Sequence, residues 1–227
     1  MTWQKEKFHD FIIKHNVIGF FKEPLKLKSG RISYWYVNWR NIAEDVYLID
    51  NLSNYLINYV QYLGLNPDCF YGVPEGATKL GIIAQYKWAK MQNNYDQDVY
   101  SLSMGRGKPK QHGDPKDKFF LGVPKGKIII VEDVTTTGGS LVDTIKKLSE
   151  ISTQIIAAIG LTNRNEIRDD NKSVEEIIEE KGIKYYAMSN AIELLPITFK
   201  LLKPSKEITI HIEEYFKKYG KEEIKLS

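Results

Sequence analysis

The sequence predicts an α/β protein: a central, mainly parallel sheet flanked by helices, with a small subdomain at the N-terminus. Short aliphatic runs alternate with segments whose apolar residues recur every three or four positions. This alternation is typical of a parallel sheet whose strands are joined by helices. Two of the joints between a strand pattern and a helix pattern are also rich in glycine, and such joints are common sites for binding anions.

The N-terminal part is predicted to be a helix followed by two strands. Apolar residues mark one face of an opening helix over residues 8–15. Residues 25–28 and 32–38 have strand patterns, and a Ser-Gly-Arg turn signal joins them. We expect residues 1–40 to form a small subdomain over an α/β core that comprises residues 41–227.

The rest of the chain alternates as the fold class requires. Apolar spacings of three and four residues predict helices, and short uninterrupted apolar runs predict buried strands. The predicted helices cover residues 46–63, 76–91, 138–151, 174–180, 191–202 and 205–219. The predicted strands cover residues 69–73, 99–102, 128–131, 155–161 and 183–187, with 128–131 as the central strand.

The composition describes a globular protein with enough apolar material for a core. The 227 residues are 42% hydrophobic and 27% charged, which suits one large domain or one domain with an appendage. A net charge of +3 is too small and too dispersed to indicate nucleic acid, and anionic small molecules fit equally well. No stretch approaches the roughly 18 apolar residues of a membrane span, and the first residues have no apolar signal core. We therefore expect a cytoplasmic enzyme with no nucleic-acid or membrane partner.

The most informative segment is the ten-residue string from Val131 to Ser140. Two carboxylates, Glu132 and Asp133, follow an aliphatic strand and precede a Thr-Thr-Thr-Gly-Gly-Ser loop at the start of a helix pattern. Backbone N–H groups at a helix N-terminus bind phosphate because they lack partners within the helix. The acids would repel that phosphate unless the ligand also presents hydroxyls or a divalent metal. A sugar phosphate meets both demands, whereas the structural alternative is a tight turn capped by Thr or Ser.

Two further segments have compositions that suit phosphate groups. Gly72 and Gly76 bracket a short turn between a strand and a helix, which forms a second candidate anion site or an ordinary connection. Residues 104–118 are rich in Lys, Gly and Pro and have few apolar residues, so this segment cannot pack into a core. It is either a solvated basic loop or a lid that closes its cations over a diphosphate and excludes water.

Four motifs resemble, in the same order, those of the orotate phosphoribosyltransferase family, which are type I phosphoribosyltransferases. The string from Val131 to Ser140 is similar to their signature for 5-phosphoribosyl 1-diphosphate (PRPP). Three other motifs resemble the family's N-terminal segment, diphosphate loop and mobile loop: Leu-Lys-Ser-Gly-Arg-Ile-Ser at 27–33, Gly-Val-Pro-Glu-Gly-Ala at 72–77, and Arg-Gly-Lys-Pro-Lys-Gln-His-Gly at 106–113. The resemblance implies the type I phosphoribosyltransferase fold, in which residues 1–40 form a hood that helps bind the base.

The resemblance also implies roles for residues in these motifs and for two residues outside them, Tyr36 on the strand at 32–38 and Arg164 after the strand at 155–161. Catalytic roles fall to Glu132, Asp133, Lys110 and His112. PRPP contacts fall to Gly72, Gly76, Arg106, Lys108, Thr135, Thr136, Thr137, Gly138, Gly139 and Ser140. Orotate contacts fall to Lys28, Tyr36, Thr136 and Arg164. The family further implies Mg²⁺ held mainly by the substrate, and a homodimer whose mobile loop serves the neighbouring subunit's site.

Three positions depart from the family's pattern. Gly107 stands where the family commonly has Lys, and Lys108 is displaced by one position. Gly76 stands where some members have Lys. Asn163 precedes Arg164, whereas members often have Asp there, so a charge that could orient the guanidinium is missing.

The resemblance implies that the chain converts orotate and PRPP to orotidine 5′-phosphate and diphosphate in pyrimidine synthesis. Two alternatives remain open. A phosphoribosyltransferase for a purine base would share the PRPP motifs but would not need Arg164, whose planar guanidinium suits a planar carboxylate. A non-catalytic PRPP-binding regulator of RNA or DNA would need a basic face, and the sequence contains no dense basic patch.

Overall fold

The computed structural model describes residues 2–112, 118–151 and 153–226. Its helices are α1 (Lys5–Lys14), α2 (Arg40–Ala43), α3 (Val46–Tyr62), α4 (Thr78–Lys90), α5 (Gly139–Leu148), α6 (Val174–Glu179), α7 (Ala191–Leu202) and α8 (Lys206–Tyr219). Its strands are β1 (Ile18–Lys26), β2 (Ile32–Val37), β3 (Cys69–Gly72), β4 (Met104–Gly105), β5 (Phe120–Leu121), β6 (Gly126–Thr135), β7 (Thr153–Asn163) and β8 (Lys184–Asn190). Most of the predicted elements agree with these bounds to within a few residues.

The central sheet consists of parallel strands in the order β3, β6, β7, β8. In β6, the residues from Ile128 to Val131 are fully buried. Helices cover both faces of the sheet, and burial on both faces is why these strands have uninterrupted aliphatic runs rather than alternating patterns. The predicted α/β class with a mainly parallel sheet is confirmed.

The N-terminal strands β1 and β2 form an antiparallel hairpin that begins earlier than predicted. Ile18, Gly19 and Phe20 already pair with β2, and the register shifts between Phe20 and Leu25. Pro24 lies in that irregular stretch and has no N–H to donate to a neighbouring strand. Because the irregular stretch interrupts β1, only its second half has a clear strand pattern.

The strand predicted at residues 99–102 is wrong. The segment consists of turn and irregular structure. The side-chain amide of Gln85 donates to the backbone carbonyl of Ser101 at 2.9 Å, while Val99 and Leu102 are exposed. An apolar pattern forms a strand only where a neighbouring strand pairs with it and a covered face buries it. The short antiparallel pair of β4 and β5 follows and brackets the basic segment.

Two apolar clusters lie on opposite faces of the sheet. The larger one includes Phe8 of α1, Trp35 of β2 and Leu194 of α7, so the N-terminal elements share a core with the C-terminal helices. The smaller one lies beneath α5 and α6. The domain boundary at residue 40 stays a prediction. Within the described ranges, no helix combines the length and the apolar character that crossing a membrane requires.

Candidate active site

A cleft of about 440 Å³ lies beside the ends of β6 and β7 and beneath the turn between β1 and β2. The carboxyl ends of parallel strands lie at one edge of a sheet, and ligands bind there in open α/β folds. Of the residues predicted to form the site, those that line this cleft are Lys28, Tyr36, Gly76, Glu132, Asp133, Thr136, Thr137, Gly138, Gly139, Ser140 and Arg164. The predicted phosphate, ribose and base contacts therefore converge on one cavity. A larger groove of about 760 Å³ between α1, α3 and α7 contains none of them.

The loop from Thr136 to Gly138 joins β6 to α5. Gly138 has a φ of +71°, a left-handed conformation that favours glycine. A Cβ at this position would lie 2.7 Å from Cγ2 of Val174. Helix α5 begins without a side-chain cap, as do α1, α2 and α4, whereas α3, α6, α7 and α8 have one. The first N–H groups of α5 are therefore left for an external anion, which disfavours the capped-turn alternative.

Arg168 supports this loop and has no motif in the sequence that would have predicted it. Its Nη1 donates to the carbonyl oxygen of Thr137 at 2.6 Å, and its Nε donates to Asp170 at 3.1 Å. A trans peptide is planar, and its C=O and N–H point in opposite directions. The N–H of Gly138 therefore points away from Arg168, and Gly138 itself lines the cleft.

Glu132 and Asp133 belong to the end of β6, because the strand continues to Thr135 instead of ending at residue 131. The side chain of Glu132 is largely buried. Burial and the neighbouring carboxylate of Asp133 raise the pKa of Glu132 well above its ordinary value, and Lys28 opposes this shift only in part. Without ligand, Glu132 therefore favours its protonated form, and a cationic or hydroxyl-bearing ligand would favour its ionised form.

Gly76 lies directly against Asp133. A Cβ at position 76 would be only 2.2 Å from Oδ2 of Asp133, which no real contact permits without movement. The Lys that some members of the resembling family have at this position would therefore displace the carboxylate. This contact gives a physical reason for glycine at position 76: the carboxylate of Asp133 occupies the space that a side chain there would need.

Lys28 reaches the cleft from the turn between β1 and β2. The turn is closed by hydrogen bonds from the N–H of Leu27 to the carbonyl of Arg31 at 2.8 Å and from the N–H of Gly30 to the carbonyl of Leu27 at 2.9 Å. Lys28 Nζ donates to Oγ of Ser140 at 2.8 Å. The N-terminal hairpin therefore contacts the phosphate loop directly and places an ammonium group beside it.

Arg164 follows β7 and is only 1% exposed. Its guanidinium lies over the ring of Trp35, 3.7 Å from the ring centroid. Nε donates to Glu166 at 2.6 Å and Nη2 donates to Oγ of Ser33 at 3.1 Å. Nη1 is buried and has no hydrogen-bond partner among residues 2–112, 118–151 and 153–226. A buried donor without a partner is costly, so this nitrogen is suited to a ligand.

The charges around Arg164 do not balance. Arg31 Nη1 donates to the second oxygen of Glu166 at 2.7 Å, so two buried guanidinium groups share one buried carboxylate. Asp169 lies 3.4 Å from Arg31 but is fully exposed, where solvent screens it. The cluster therefore carries one positive charge that the buried groups leave unbalanced. An anionic ligand would balance it. The sequence analysis assigned no role to Arg31, which stands inside the motif at 27–33, or to Glu166, which follows Arg164 by two positions.

Two of the predicted PRPP contacts that lie on the central sheet, Thr135 and Gly72, are not among the residues that line the cleft. Thr135 is 1% exposed, and its hydroxyl hydrogen-bonds to the hydroxyl of Tyr185 in the core. Gly72 is buried, and a Cβ there would lie 2.0 Å from the carbonyl oxygen of Ala77. Gly72 thus permits the close approach of the chain at the start of α4. The structure gives both residues a packing role, and their contacts with PRPP stay predictions.

In the basic segment between β4 and β5, residues 106–112 and 118–119 are described and are not among the residues that line the cleft. Its backbone is held by hydrogen bonds from Arg106 N to Phe119 O and from Lys110 N to Lys118 O, both at 2.9 Å. Lys108, Lys110 and His112 are exposed, and Gly113 of the same motif lies outside the described residues. A Cβ at Gly107 would lie 3.0 Å from Oε1 of Glu75 in the cleft wall. The catalytic roles of Lys110 and His112, and the PRPP contacts of Arg106 and Lys108, stay predictions.

The carboxylate oxygens in the cleft would suit a magnesium ion that a substrate also holds. Within the part of the chain that the structure describes, no group of three or more His, Cys, Asp or Glu side chains is arranged to hold a metal. Glu132 and Asp133 are nevertheless adjacent carboxylates in the cleft wall. One or two protein carboxylates plus substrate phosphates are the usual ligands of Mg²⁺. The residues present therefore fit the expected cofactor.

Known proteins of similar sequence and fold bear on the same question. No family model matches the chain. An orotate phosphoribosyltransferase of Clostridium botulinum (strain Alaska E43) is 29% identical over 229 residues, which cover 97% of this chain and 99% of that protein. An Aquifex aeolicus orotate phosphoribosyltransferase is 28% identical over 188 residues, 81% of this chain and 94% of that protein. The crystal structure of the Francisella tularensis orotate phosphoribosyltransferase superposes with a TM-score of 0.67 at 22% identity and covers 94% of this chain and 99% of that one.

The comparisons support the resemblance beyond the four motifs. The sequence likeness extends over nearly the whole length of both proteins in the Clostridium case, and the likeness of fold does so in the Francisella case. The predicted resemblance and the predicted fold class are therefore confirmed. The chain has the type I phosphoribosyltransferase fold, and its sequence resembles that of orotate phosphoribosyltransferases from end to end.

Proposed function

We propose that this protein is an orotate phosphoribosyltransferase, which converts orotate and PRPP to orotidine 5′-phosphate and diphosphate. One observation carries the assignment of the base: among the described residues, the buried cluster around Arg164 has an unbalanced positive charge and an N–H without a partner, and Arg164 lines the same cleft as the phosphate loop. Orotate carries a carboxylate, whereas purine bases and uracil do not. A site that holds a buried donor discriminates strongly against a ligand that leaves the donor unpaired.

The cleft offers a place for each part of PRPP. The 5′-phosphate binds the loop from Thr136 to Ser140, where the N–H groups of α5 are available. The ribose hydroxyls bind Glu132 and Asp133 at the end of β6. The diphosphate lies towards Gly76, and its negative charge attracts Lys28 and the basic segment. Orotate lies against Arg164, with Tyr36 and Thr136 in the same wall.

The chemistry needs positioning and charge rather than a nucleophile from the protein. N1 of orotate attacks C1 of the ribose as the bond from C1 to the diphosphate oxygen breaks. The electron pair of that bond leaves with the diphosphate, which also takes up the proton that N1 gives up. Positive charge develops on the ribose during this step, and the carboxylates of Glu132 and Asp133 face it. The carboxylate of orotate contacts Arg164 before and after the reaction, so that contact contributes mainly to binding.

The proposal extends to the cofactor, the lid and the assembly. Mg²⁺ would be held mainly by the substrate, with the carboxylates of Glu132 and Asp133 as the protein groups that could hold it, and it would supply positive charge to the leaving group. Lys110, His112 and Arg106 close over the diphosphate, and Lys108 takes the place of the Lys that is missing at Gly107. The active form is a cytoplasmic homodimer in which this segment serves the neighbouring site. The likeness to whole orotate phosphoribosyltransferases supports these points.

The test is an assay of purified protein with Mg²⁺, PRPP and orotate, in which the absorbance of orotate is followed. Uracil, hypoxanthine and adenine serve as alternative bases. Turnover of orotate alone is expected. Turnover of a purine without turnover of orotate would reject the assignment in favour of a purine enzyme. Tight binding of PRPP without turnover of any base would instead indicate a PRPP-binding regulator.

A further inference from the structure

Glu166 lies at the centre of the charged cluster, yet it does not line the cleft. Its side chain is fully buried, and its two oxygens accept from Arg164 Nε at 2.6 Å and from Arg31 Nη1 at 2.7 Å. We infer that Glu166 is a positioning residue, which fixes the rotation of the Arg164 guanidinium so that Nη1 meets the carboxylate of the substrate. This inference rests on the proposed function, because it needs a ligand that carries a carboxylate.

The guanidinium of Arg164 is fixed on three sides. Glu166 holds Nε, Ser33 holds Nη2 at 3.1 Å, and the ring of Trp35 covers one face at 3.7 Å. Nη1 is the nitrogen that these contacts leave without a partner within the described residues. Because a guanidinium is planar, holding Nε fixes the direction of the other two nitrogens. Glu166 therefore determines where the N–H groups of Nη1 point.

Glu166 is itself held from the opposite side. Arg31 binds its second oxygen, and Arg31 is anchored by a hydrogen bond to the carbonyl of Ile167 at 2.6 Å and by the ring of Tyr219, 4.5 Å from its Cζ. A carboxylate bound at both oxygens has little freedom to rotate. Arg31 also ends the turn that carries Lys28, so the same carboxylate ties the N-terminal hairpin to the residues after β7.

This arrangement accounts for the departure at Asn163. The side-chain oxygen of Asn163 accepts from the backbone N–H of Asn165 at 2.9 Å. It therefore shapes the loop instead of supplying the charge that an Asp would bring to this position. The carboxylate that holds Arg164 comes from Glu166, two residues after the arginine rather than one before it. A second-layer carboxylate of this kind orients the group that touches the ligand.

Two substitutions separate positioning from charge. Glu166→Gln removes the negative charge, which makes the surroundings of Arg164 more positive. If Glu166 acted only through its charge, this variant would bind orotate more tightly. Glu166→Asp keeps the charge but withdraws the carboxylate by one methylene, so it can no longer hold both arginines. Positioning predicts weaker orotate binding in both variants, and charge alone predicts opposite or absent effects.

The experiment measures KM and kcat for both substrates, together with calorimetric binding of orotate, in the full-length protein. We expect the KM for orotate to rise about tenfold in Glu166→Gln and about fivefold in Glu166→Asp, with kcat and the KM for PRPP changed less than about twofold. Glu180→Gln is the matched control, since it removes an acid from the exposed ion pair with Lys172. Its constants should equal those of the wild type.

Each outcome decides the question. An unchanged KM for orotate in Glu166→Asp, or tighter orotate binding in Glu166→Gln, would reject positioning. Equal losses for orotate and PRPP would indicate general disruption and would also reject it. Glu166→Asp serves if Glu166→Gln fails to fold, because it leaves the buried charges intact. A wild-type protein that neither turns over nor binds orotate would reject the proposed function itself, whereas active wild type with an equally active Glu166→Asp would reject this inference alone.

Discussion

Asp133 owes its place to the absence of a side chain at position 76. The carboxylate occupies the space where a Cβ would stand, 2.2 Å from Oδ2. Any residue larger than glycine at position 76 would therefore change the direction of the Asp133 carboxylate. Such contacts are invisible in the sequence, because they join two motifs that are separated by more than fifty positions.

Gly76→Ala should lower activity through Asp133. The new methyl group displaces the carboxylate, so we expect kcat/KM for PRPP to fall by about tenfold or more, where each factor of ten corresponds to about 1.4 kcal/mol. Steady-state kinetics with varied PRPP measure it. Gly19→Ala is the control, because a Cβ there meets only the ring of Phe21 at 3.9 Å. Equal activity of the two variants would contradict the proposed placement of Asp133 at the ribose.

Glu132 should make the stability of the unliganded protein depend on pH. Its pKa in the folded protein is raised above the ordinary 4.5, so its stabilising contribution is complete below that value. The contribution is lost as the pH rises through the raised pKa. Glu132→Gln cannot ionise, and its Tm should therefore exceed that of the wild type at neutral pH by a few degrees, at about 2–4 °C per kcal/mol for this size.

The measurement is a series of thermal melts from acid to neutral pH without ligand. The Tm difference between Glu132→Gln and wild type should grow as the pH rises. Glu180→Gln controls for the loss of any acid. A difference that stays constant or shrinks with rising pH would show that Glu132 ionises as easily in the folded protein as in the unfolded chain.

The residues that touch ligands were more predictable than the residues that hold them. Lys28 and Asp133 stand in motifs that have a recognisable spacing, Arg164 follows a predicted strand, and all three line the cleft as expected. Glu166 and Arg168 make their contacts with other protein groups, over separations of up to 135 positions. A local pattern does not record such pairings, since any exposed acid or base in a loop has the same appearance in a sequence.

Among the elements, β6 and α5 form the site together, and both differ from the prediction in an informative way. The aliphatic run predicted a strand that ends at residue 131, but β6 continues to Thr135 by pairing with β7 up to Asn163. Backbone pairing with β7 thus extends the strand past Glu132 and Asp133, although two acids would not be expected in a buried strand. Helix α5 begins at Gly139 without a side-chain cap. The end of β6 therefore offers carboxylates to a ligand, and the start of α5 offers backbone N–H groups.

Arg168→Ala should loosen the phosphate loop. The guanidinium donates to the Thr137 carbonyl at 2.6 Å and is mostly buried. Loss of a hydrogen bond to a charged group costs about 1.5–3 kcal/mol, less where solvent competes. We expect PRPP affinity to fall by about five- to tenfold while orotate affinity stays within about twofold.

Titration of each substrate by calorimetry tests this prediction. Lys172→Ala is the matched control, because Lys172 lies nearby in the sequence and pairs with Glu180 on the surface. Unchanged PRPP affinity in Arg168→Ala would show that the loop keeps its shape without the arginine. A parallel loss of orotate affinity would place the effect elsewhere in the cleft.

At the scale of the whole molecule, the predicted hood shares one apolar core with the C-terminal helices. Trp35 of the hairpin packs on Phe216 of α8, and Trp39 donates from Nε1 to Thr162 of the sheet at 3.1 Å. The order of the predicted elements indicated that residues 1–40 form a separate unit, because a helix and a hairpin precede the alternating pattern. Sequence order does not reveal that the chain returns at its end to cover the same residues.

We expect the hood and the core to unfold together. Tryptophan fluorescence reports mainly on the N-terminal elements, which contain Trp3, Trp35 and Trp39, whereas far-UV circular dichroism reports on all helices. The two signals should have the same Tm within about 2 °C, as two-state unfolding requires. An earlier fluorescence transition would instead show that residues 1–40 form an independently stable unit.

Nη1 of Arg164, which has no partner among the described residues, affects how a catalytic cycle would end. The carboxylate of the pyrimidine is untouched by the transfer, so substrate and nucleotide product present the same group to the same arginine. The product also keeps its phosphate for the loop before α5. The contact with Arg164 is therefore the same before and after the reaction. After diphosphate has left, the nucleotide still offers both groups to the site, so it should compete with both substrates.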